Sequence, residues 1–137
     1  MAEPIESIDI EIRVRYAEVD RMGVLHHSHY LVYFEMGRTE LLRKTSISYR
    51  DLEDLGIYLV VVKASVTYSH PARYDDLLLL TTRIKKVGQV KIQHTYELKR
   101  KSDGLLLARG ETALGCVDCG GKIVALPEAI KKTGPRK

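Results

Sequence analysis

Alternating apolar and charged residues open the chain and predict a half-buried strand over residues 8–16. The alternation stops at Asp20, and residues 20–27 surround a glycine, so we expect a loop there. The run from His29 to about Lys44 has the length and composition of a helix, with Ser28 as its candidate cap.

The predicted helix is apolar around most of its circumference, with Tyr30, Leu31, Val32, Tyr33, Phe34, Met36, Leu41 and Leu42. A helix of this kind is enclosed by other elements. Gly37 weakens an exposed helix by about 1 kcal/mol relative to alanine, so we expect it to pack closely against a neighbour. Glu35 and Arg38 lie three residues apart, which predicts an ion pair.

Strand patterns dominate after a possible short helix over residues 48–55. They cover residues 57–69, 77–87, 89–100 and 105–118, with turn signals between them. Strands joined by tight turns are antiparallel, so the chain is predicted to be one α+β domain over residues 1–137. One sheet cannot enclose the helix on all sides, and we therefore expect a second copy of the chain to cover the rest as a homodimer.

Composition excludes several classes of protein. The 137 residues are 45% apolar and 29% charged, which is ordinary for a globular domain, and they contain no apolar run long enough to span a membrane. The N-terminus lacks the basic and apolar regions of a secretory signal, and two cysteines give no disulfide framework, so we expect a cytoplasmic location. A net charge of +4 is too mild to indicate nucleic acid.

Basic residues concentrate between positions 83 and 101, with only Glu97 opposing them: Arg83, Lys85, Lys86, Lys91, Lys99, Arg100 and Lys101. Two interpretations stay open. Lysines protect the solvated edge of a sheet from aggregation. They also form sites for polyanionic ligands such as nucleotide phosphates.

Asp20 is the first candidate for chemistry, because it precedes the start of the predicted helix. A helix start presents unpaired N–H groups and a positive dipole end, which can stabilise an oxyanion. A nearby carboxylate can activate water or attack a carbonyl directly. The alternative is an ordinary loop aspartate that bonds its own backbone.

Other reactive residues form weaker patterns. His26, His27 and His29 lack the spacing of a zinc site, so we expect no metal and no cofactor. Cys116 and Cys119 form a C-x-x-C pair without a second pair or a helix start, which is weak evidence for redox chemistry. Motifs for P-loops, dinucleotide sites and serine hydrolases are missing from the sequence.

The segment RVRYAEVDRMGVLHHSHYLVYFEMGRTELLR (13–43) resembles the YbgC-like and 4-hydroxybenzoyl-CoA thioesterase branch of the hotdog-fold superfamily. The matching positions are Tyr16, Asp20, Gly23, Val24, Leu25, His27 and Tyr30, and PARYDD (71–76) and VDCGGKIVALP (117–127) also fit the family. One departure is Glu18-Val19-Asp20 where the family usually has Asp-Thr-Asp.

This resemblance implies a hotdog fold, in which a curved antiparallel sheet of about five strands wraps a long central helix. It implies hydrolysis of acyl-CoA or aroyl-CoA thioesters, with Asp20 as nucleophile or general base and the backbone N–H of His27 polarising the thioester carbonyl. It assigns substrate binding to Tyr16, Gly23, Val24 and Tyr30, and makes residues 83–101 a place for CoA phosphates. Family members form dimers or dimers of dimers with sites at the subunit interface.

Three alternatives accompany the thioesterase hypothesis. Hotdog folds also serve as non-catalytic acyl-CoA-binding modules. A different branch carries its catalytic carboxylate on the helix, where Glu35 or Glu40 would take that role. A hydratase acting on enoyl-CoA would need another Asp/His arrangement, which the sequence lacks.

Overall fold

The structure is a computed structural model that describes residues 6–135. Residues 1–5, the start of the segment compared with a secretory signal, lie outside it. Within it the helices and strands follow in the order β1 Ser7–Arg13, a 3₁₀ turn Tyr16–Glu18, α1 Ser28–Arg43, α2 Tyr49–Asp54, β2 Ile57–Tyr68, β3 Leu77–Val87, β4 Lys91–Arg100, β5 Leu106–Asp118 and α3 Glu128–Lys131. The predicted α+β order is confirmed.

Two predicted boundaries are wrong. β1 ends at Arg13 rather than at residue 16, because the chain turns into the 3₁₀ turn at Tyr16. Ser28 does not cap α1 but is its first residue, and the preceding His27 makes no capping bond through its side chain.

The five strands form one antiparallel sheet in the order β1-β3-β4-β5-β2. Register shifts interrupt β2 after Val61, β3 after Ile84 and the β4–β5 pair after Leu98. Such bulges bend strands and increase their twist, which curves the sheet around a helix. β3 and β4 are interior strands, so residues 83–101 do not form an edge strand, although β1 pairs with β3 only as far as Arg83.

α1 packs across one face of this sheet. Phe34 stacks on Tyr96 of β4 with ring centroids 4.2 Å apart. A Cβ atom at Gly37 would overlap Thr82 Oγ1 and lie 2.8 Å from a methyl carbon of Leu80. The predicted close packing at Gly37 is therefore confirmed, and it lets the helix backbone approach β3.

Apolar side chains between α1 and the sheet form two clusters. The loop-side cluster packs under the first half of α1 and includes Val14, Leu25, Tyr30, Tyr33, Phe34, Leu78, Leu80 and Leu98. The far cluster packs under its second half and includes Leu41, Leu42, Leu52, Ile84, Ile92, Leu114 and Ile130. Full burial of one such side chain contributes roughly 1.5–3 kcal/mol, so these clusters hold α1 along its length.

The outer face of α1 stays open in the single chain, where Leu31, Val32 and Met36 are 42–48% exposed. Cover by a second copy therefore stays a prediction. The predicted ion pair of Glu35 with Arg38 is wrong, because Glu35 is exposed on this outer face whereas Arg38 is buried on the sheet side. Within residues 6–135, no carboxylate lies within ion-pair distance of Arg38. None of the described helices is long and apolar enough to cross a membrane.

Candidate active site

The segment between β1 and α1 folds back on itself as a short hairpin. Val19 and Leu25 form an antiparallel bridge, and the Asp20 N–H donates to the Val24 carbonyl at 2.9 Å. Gly23 lies at the tip with φ +77°, a left-handed conformation that favours glycine. We call residues 18–27 the acid loop; it places Asp20 on the arm opposite the one that leads into α1.

The Asp20 carboxylate is exposed, and its two oxygens are in different situations. Oδ1 accepts hydrogen bonds from the backbone N–H groups of Met22 at 2.8 Å and Val24 at 3.4 Å. Oδ2 has no hydrogen-bond partner in the part of the chain that the structure describes. One oxygen thus organises the turn, as the alternative of an ordinary loop aspartate expects, and the other is open to a substrate or water.

The start of α1 presents a free donor. The backbone N–H of His27 has no acceptor among residues 6–135, whereas the N–H of Ser28 donates to His26 Nδ1 at 3.2 Å. The carbonyl of His27 accepts from Tyr68 Oη at 3.3 Å, which ties this residue to β2. The His27 side chain is exposed, and its ring stacks on His26 with centroids 4.3 Å apart. The backbone of His27 is therefore held more firmly than its side chain.

The segment 71–76 supports the acid loop from the side. The Leu25 N–H donates to the Ala72 carbonyl at 2.8 Å, and Val24 forms a bridge with Arg73. Above it the exposed ring of Tyr74 packs edge-on against Tyr16, which is 77% exposed, at 5.6 Å. The acid loop is thereby bordered by aromatic surface that faces solvent.

Tyr30 lies beneath the acid loop rather than on its surface. Its side chain is buried in the loop-side cluster, and burial raises the pKa of its hydroxyl. The ring meets Tyr68 edge-on at 4.8 Å, and Tyr68 in turn bonds His27. Tyr30 is the third residue of α1, and its contact with Tyr68 therefore links the first turn of the helix to β2.

Glu18 is a buried carboxylate that the sequence did not identify as a site residue. It is 3% exposed and accepts hydrogen bonds from the Arg15 backbone N–H at 2.8 Å, Arg15 Nη2 at 3.1 Å and Tyr33 Oη at 2.8 Å. Burial alone would raise the pKa of Glu18, but the hydrogen bonds from Arg15 and Tyr33 outweigh it and lower that pKa. The sequence signals were a second acid two residues before Asp20 and its place in Glu18-Val19-Asp20, where the resembled family usually has Asp-Thr-Asp.

The remaining candidates lie elsewhere. Glu35 is exposed on the outer face of α1, and Glu40 pairs with Arg43 at 3.3 Å, so neither belongs to the acid loop. Cys116 is buried, which raises its thiol pKa, and Cys119 is exposed; both are free. Within residues 6–135, the structure brings no three His, Cys, Asp or Glu side chains together as metal ligands.

Part of the basic segment 83–101 is already neutralised. Lys85 pairs with Glu111 at 2.7 Å, Arg100 pairs with two aspartates, and Lys101 pairs with Glu11. The other basic residues of the segment have no ion pair in the described chain: Arg83, Lys86, Lys91 and Lys99.

Comparisons with known proteins show the family and the fold of this chain. The family model described as the thioesterase-like superfamily matches residues 14–133. The acyl-CoA thioesterase YbgC of Haemophilus influenzae is 34% identical over 122 residues, 88% of each chain. The structure of a DHNA-CoA thioesterase from Staphylococcus aureus superposes with a TM-score of 0.86 at 30% identity, covering 91% of this chain and 84% of that one. The fold is also that of a 1,4-dihydroxy-2-naphthoyl-CoA thioesterase from Synechocystis, with a TM-score of 0.86 at 24% identity, covering 91% and 93%.

Proposed function

The chain belongs to the thioesterase-like superfamily and has the hotdog fold, and we propose that it hydrolyses acyl-CoA or aroyl-CoA thioesters at the acid loop. The products are the free acid and CoA. One observation carries the assignment of the site: an exposed carboxylate with a free oxygen and a helix start with a free N–H belong to the same short loop.

In the proposed reaction Asp20 Oδ2 acts on the thioester in one of two ways. As a nucleophile it attacks the carbonyl carbon and forms a mixed anhydride, which water then hydrolyses. As a general base it takes a proton from the water that attacks the same carbon. In both routes the His27 N–H donates to the carbonyl oxygen as negative charge develops on it, and the C–S bond breaks to release CoA as a thiolate that takes up a proton.

Substrate binding in this proposal uses the surface around the turn. Tyr16 and Val24 border it, while Tyr30 lies beneath it in the first turn of α1 and packs against Tyr68. Apart from the two residues that flank Gly23, no residue among 6–135 has an atom within 4 Å of where a Cβ at Gly23 would be, so a ligand can run close to the backbone there. We propose that the unpaired basic residues of 83–101 bind the CoA phosphates.

We also propose that the enzyme is a homodimer or a dimer of dimers. β2 is an edge strand of the sheet, and its Val60, Val61 and Val62 are 41–55% exposed, as is much of the outer face of α1. A long apolar edge strand of this kind pairs readily with another strand. We expect light scattering at micromolar protein to give at least twice the mass of one chain; a clean monomer would contradict the proposal. A cytoplasmic location stays a prediction.

The test of function is release of CoA thiol from a panel of aliphatic acyl-CoA and aroyl-CoA esters. Asp20→Asn keeps the size of the side chain and the acceptor for the turn but removes the charge. We expect turnover to fall at least about 100-fold while the Tm stays near that of wild type. Asp54→Asn, at the exposed end of α2, is the matched control and should behave as wild type.

The panel also separates the two function classes. An ester that wild type hydrolyses names the substrate class. Esters that bind without any release of CoA would favour the non-catalytic acyl-CoA-binding module instead.

A further inference from the structure

Glu18 lies where the two parts of the proposed site meet. Its backbone carbonyl accepts the N–H of His26 at 2.9 Å, directly before the residue whose N–H is free. Two residues later along the chain comes Asp20. The main chain of Glu18 therefore connects both arms of the acid loop.

The side chain of Glu18 makes a second connection, to α1 itself. Its Oε1 accepts from Tyr33 Oη at 2.8 Å, and Tyr33 lies in the second turn of α1 with its ring buried in the loop-side cluster. Glu18 thus links the acid loop to the body of the helix by a hydrogen bond between two buried groups, and His29 Nδ1 of the first turn lies 4.0 Å from its other oxygen. Burial and the neighbouring Glu18 charge both raise the pKa of Tyr33, so its hydroxyl keeps the proton that it donates.

Glu18 is not itself available as a catalytic base. Oε1 accepts from Tyr33 and from the Arg15 backbone, and Oε2 accepts from Arg15 Nη2. Both oxygens are occupied and the side chain is almost fully buried, in contrast to the open Oδ2 of Asp20. A buried, fully paired carboxylate of this kind favours a single geometry of its surroundings.

We propose that Glu18 and Tyr33 are positioning residues that fix Asp20 relative to the His27 N–H. This inference rests on the proposed function, because it assigns no chemistry of its own. A small displacement of one reacting group can cost a large factor in rate. Loss of the bond should therefore lower kcat much more than it changes KM, since the surface that binds the substrate stays in place.

The test is Tyr33→Phe, which removes only the hydroxyl, with Tyr96→Phe as the matched control. Tyr96 is equally buried, and its hydroxyl lies 2.6 Å from Thr112 Oγ1, away from the acid loop. Both variants lose one buried hydrogen bond, and Tyr33→Phe should lower the Tm more because its partner is a charged carboxylate, whereas Tyr96 bonds a neutral hydroxyl. We expect Tyr33→Phe to lower kcat about 10-fold or more with KM nearly unchanged, and Tyr96→Phe to leave kcat as in wild type.

Glu18→Gln and the double variant Glu18→Gln/Tyr33→Phe complete a cycle. Two residues that act through one bond should be non-additive, so the double variant should lose little more kcat than Glu18→Gln alone. Glu18→Asp, which keeps the charge on a shorter side chain, should recover part of the loss.

Failure of this inference can be told from failure of the function. If wild type turns over and Asp20→Asn does not, while Tyr33→Phe keeps the wild-type kcat, the positioning role alone is overturned. Equal losses of kcat in Tyr33→Phe and Tyr96→Phe would also overturn it, because they would reflect stability only. Absence of turnover in wild type on every ester would overturn both.

Discussion

The buried polar groups under the two halves of α1 differ in whether they have hydrogen-bond partners. Under the first half, Glu18 and Tyr33 are buried and bonded to each other. Under the second half, Arg38 and His94 are buried beside a cavity of about 10 Å³, and His94 Nδ1 has no partner among the described residues. A space of that size is about the smallest that holds one water molecule.

This difference shows where hydrogen bonds specify the local geometry and where a buried polar atom is left without a partner. A paired carboxylate stabilises one arrangement of the acid loop, and removing a partner leaves a buried charge unmatched. An imidazole nitrogen that is buried without a partner does not fix the arrangement of its neighbours. Its burial also makes the free energy of unfolding depend on pH. The buried polar groups that are bonded to each other, Glu18 and Tyr33, lie under the half of α1 next to the proposed chemistry.

The largest expected effect is the acid sensitivity of the far cluster. Burial, with a smaller contribution from the Arg38 charge, lowers the pKa of His94 to about 3. His94 is therefore neutral in the folded chain at pH values where an unfolded histidine, with its ordinary pKa of about 6.5, binds a proton. The stability that this neutral form contributes is complete above pH 6.5 and is lost as pH falls towards 3, by about 1.4 kcal/mol per pH unit.

Urea unfolding of wild type and His94→Gln between pH 7 and 4 measures this slope. The variant should lose distinctly less stability over that range than wild type. His70→Gln, at an exposed histidine, is the control and should keep the wild-type slope. Parallel slopes for wild type and His94→Gln would show that His94 is not the acid-sensitive group.

A smaller effect is expected at Gly37, between the two halves of α1. Gly37→Ala gains helix propensity of about 1 kcal/mol, but the new methyl group overlaps Thr82 Oγ1. We expect the overlap to prevail and the free energy of unfolding to fall by about 1–3 kcal/mol. Thr82→Ala removes the overlapping atom, so the double variant should recover part of the loss. A Gly37→Ala protein that is more stable than wild type would show that α1 is not closely packed against β3 at this position.

Much of the fold could be predicted because its signals are local. The alternation of apolar and polar residues along β4 determines which side chains face α1, and the glycine and turn residues mark the ends of β3 and β5. The close approach at Gly37 followed from the cost of glycine in a helix. Residues that lie close in sequence were enough for each of these predictions.

The predictions were wrong or incomplete where residues far apart in the sequence determine the contacts of a side chain. Arg38 turns to the sheet because the far cluster offers it space between β4 and α2, which the spacing from Glu35 cannot reveal. His26, not Ser28, accepts the first N–H of α1, because the acid loop places the His26 ring over the start of the helix. The proposed role of Glu18 depends on Tyr33, fifteen residues away, and on a hairpin that no periodicity marks.

The most direct test of the account compares wild type and Asp20→Asn in a single turnover on an ester that the panel identifies, with excess enzyme and with binding of the ester measured separately. The account predicts that both proteins bind the ester and that only wild type releases CoA at an appreciable rate, the variant being slower by at least about 100-fold. Equal rates of CoA release from the two proteins would contradict it and would place the chemistry outside the acid loop.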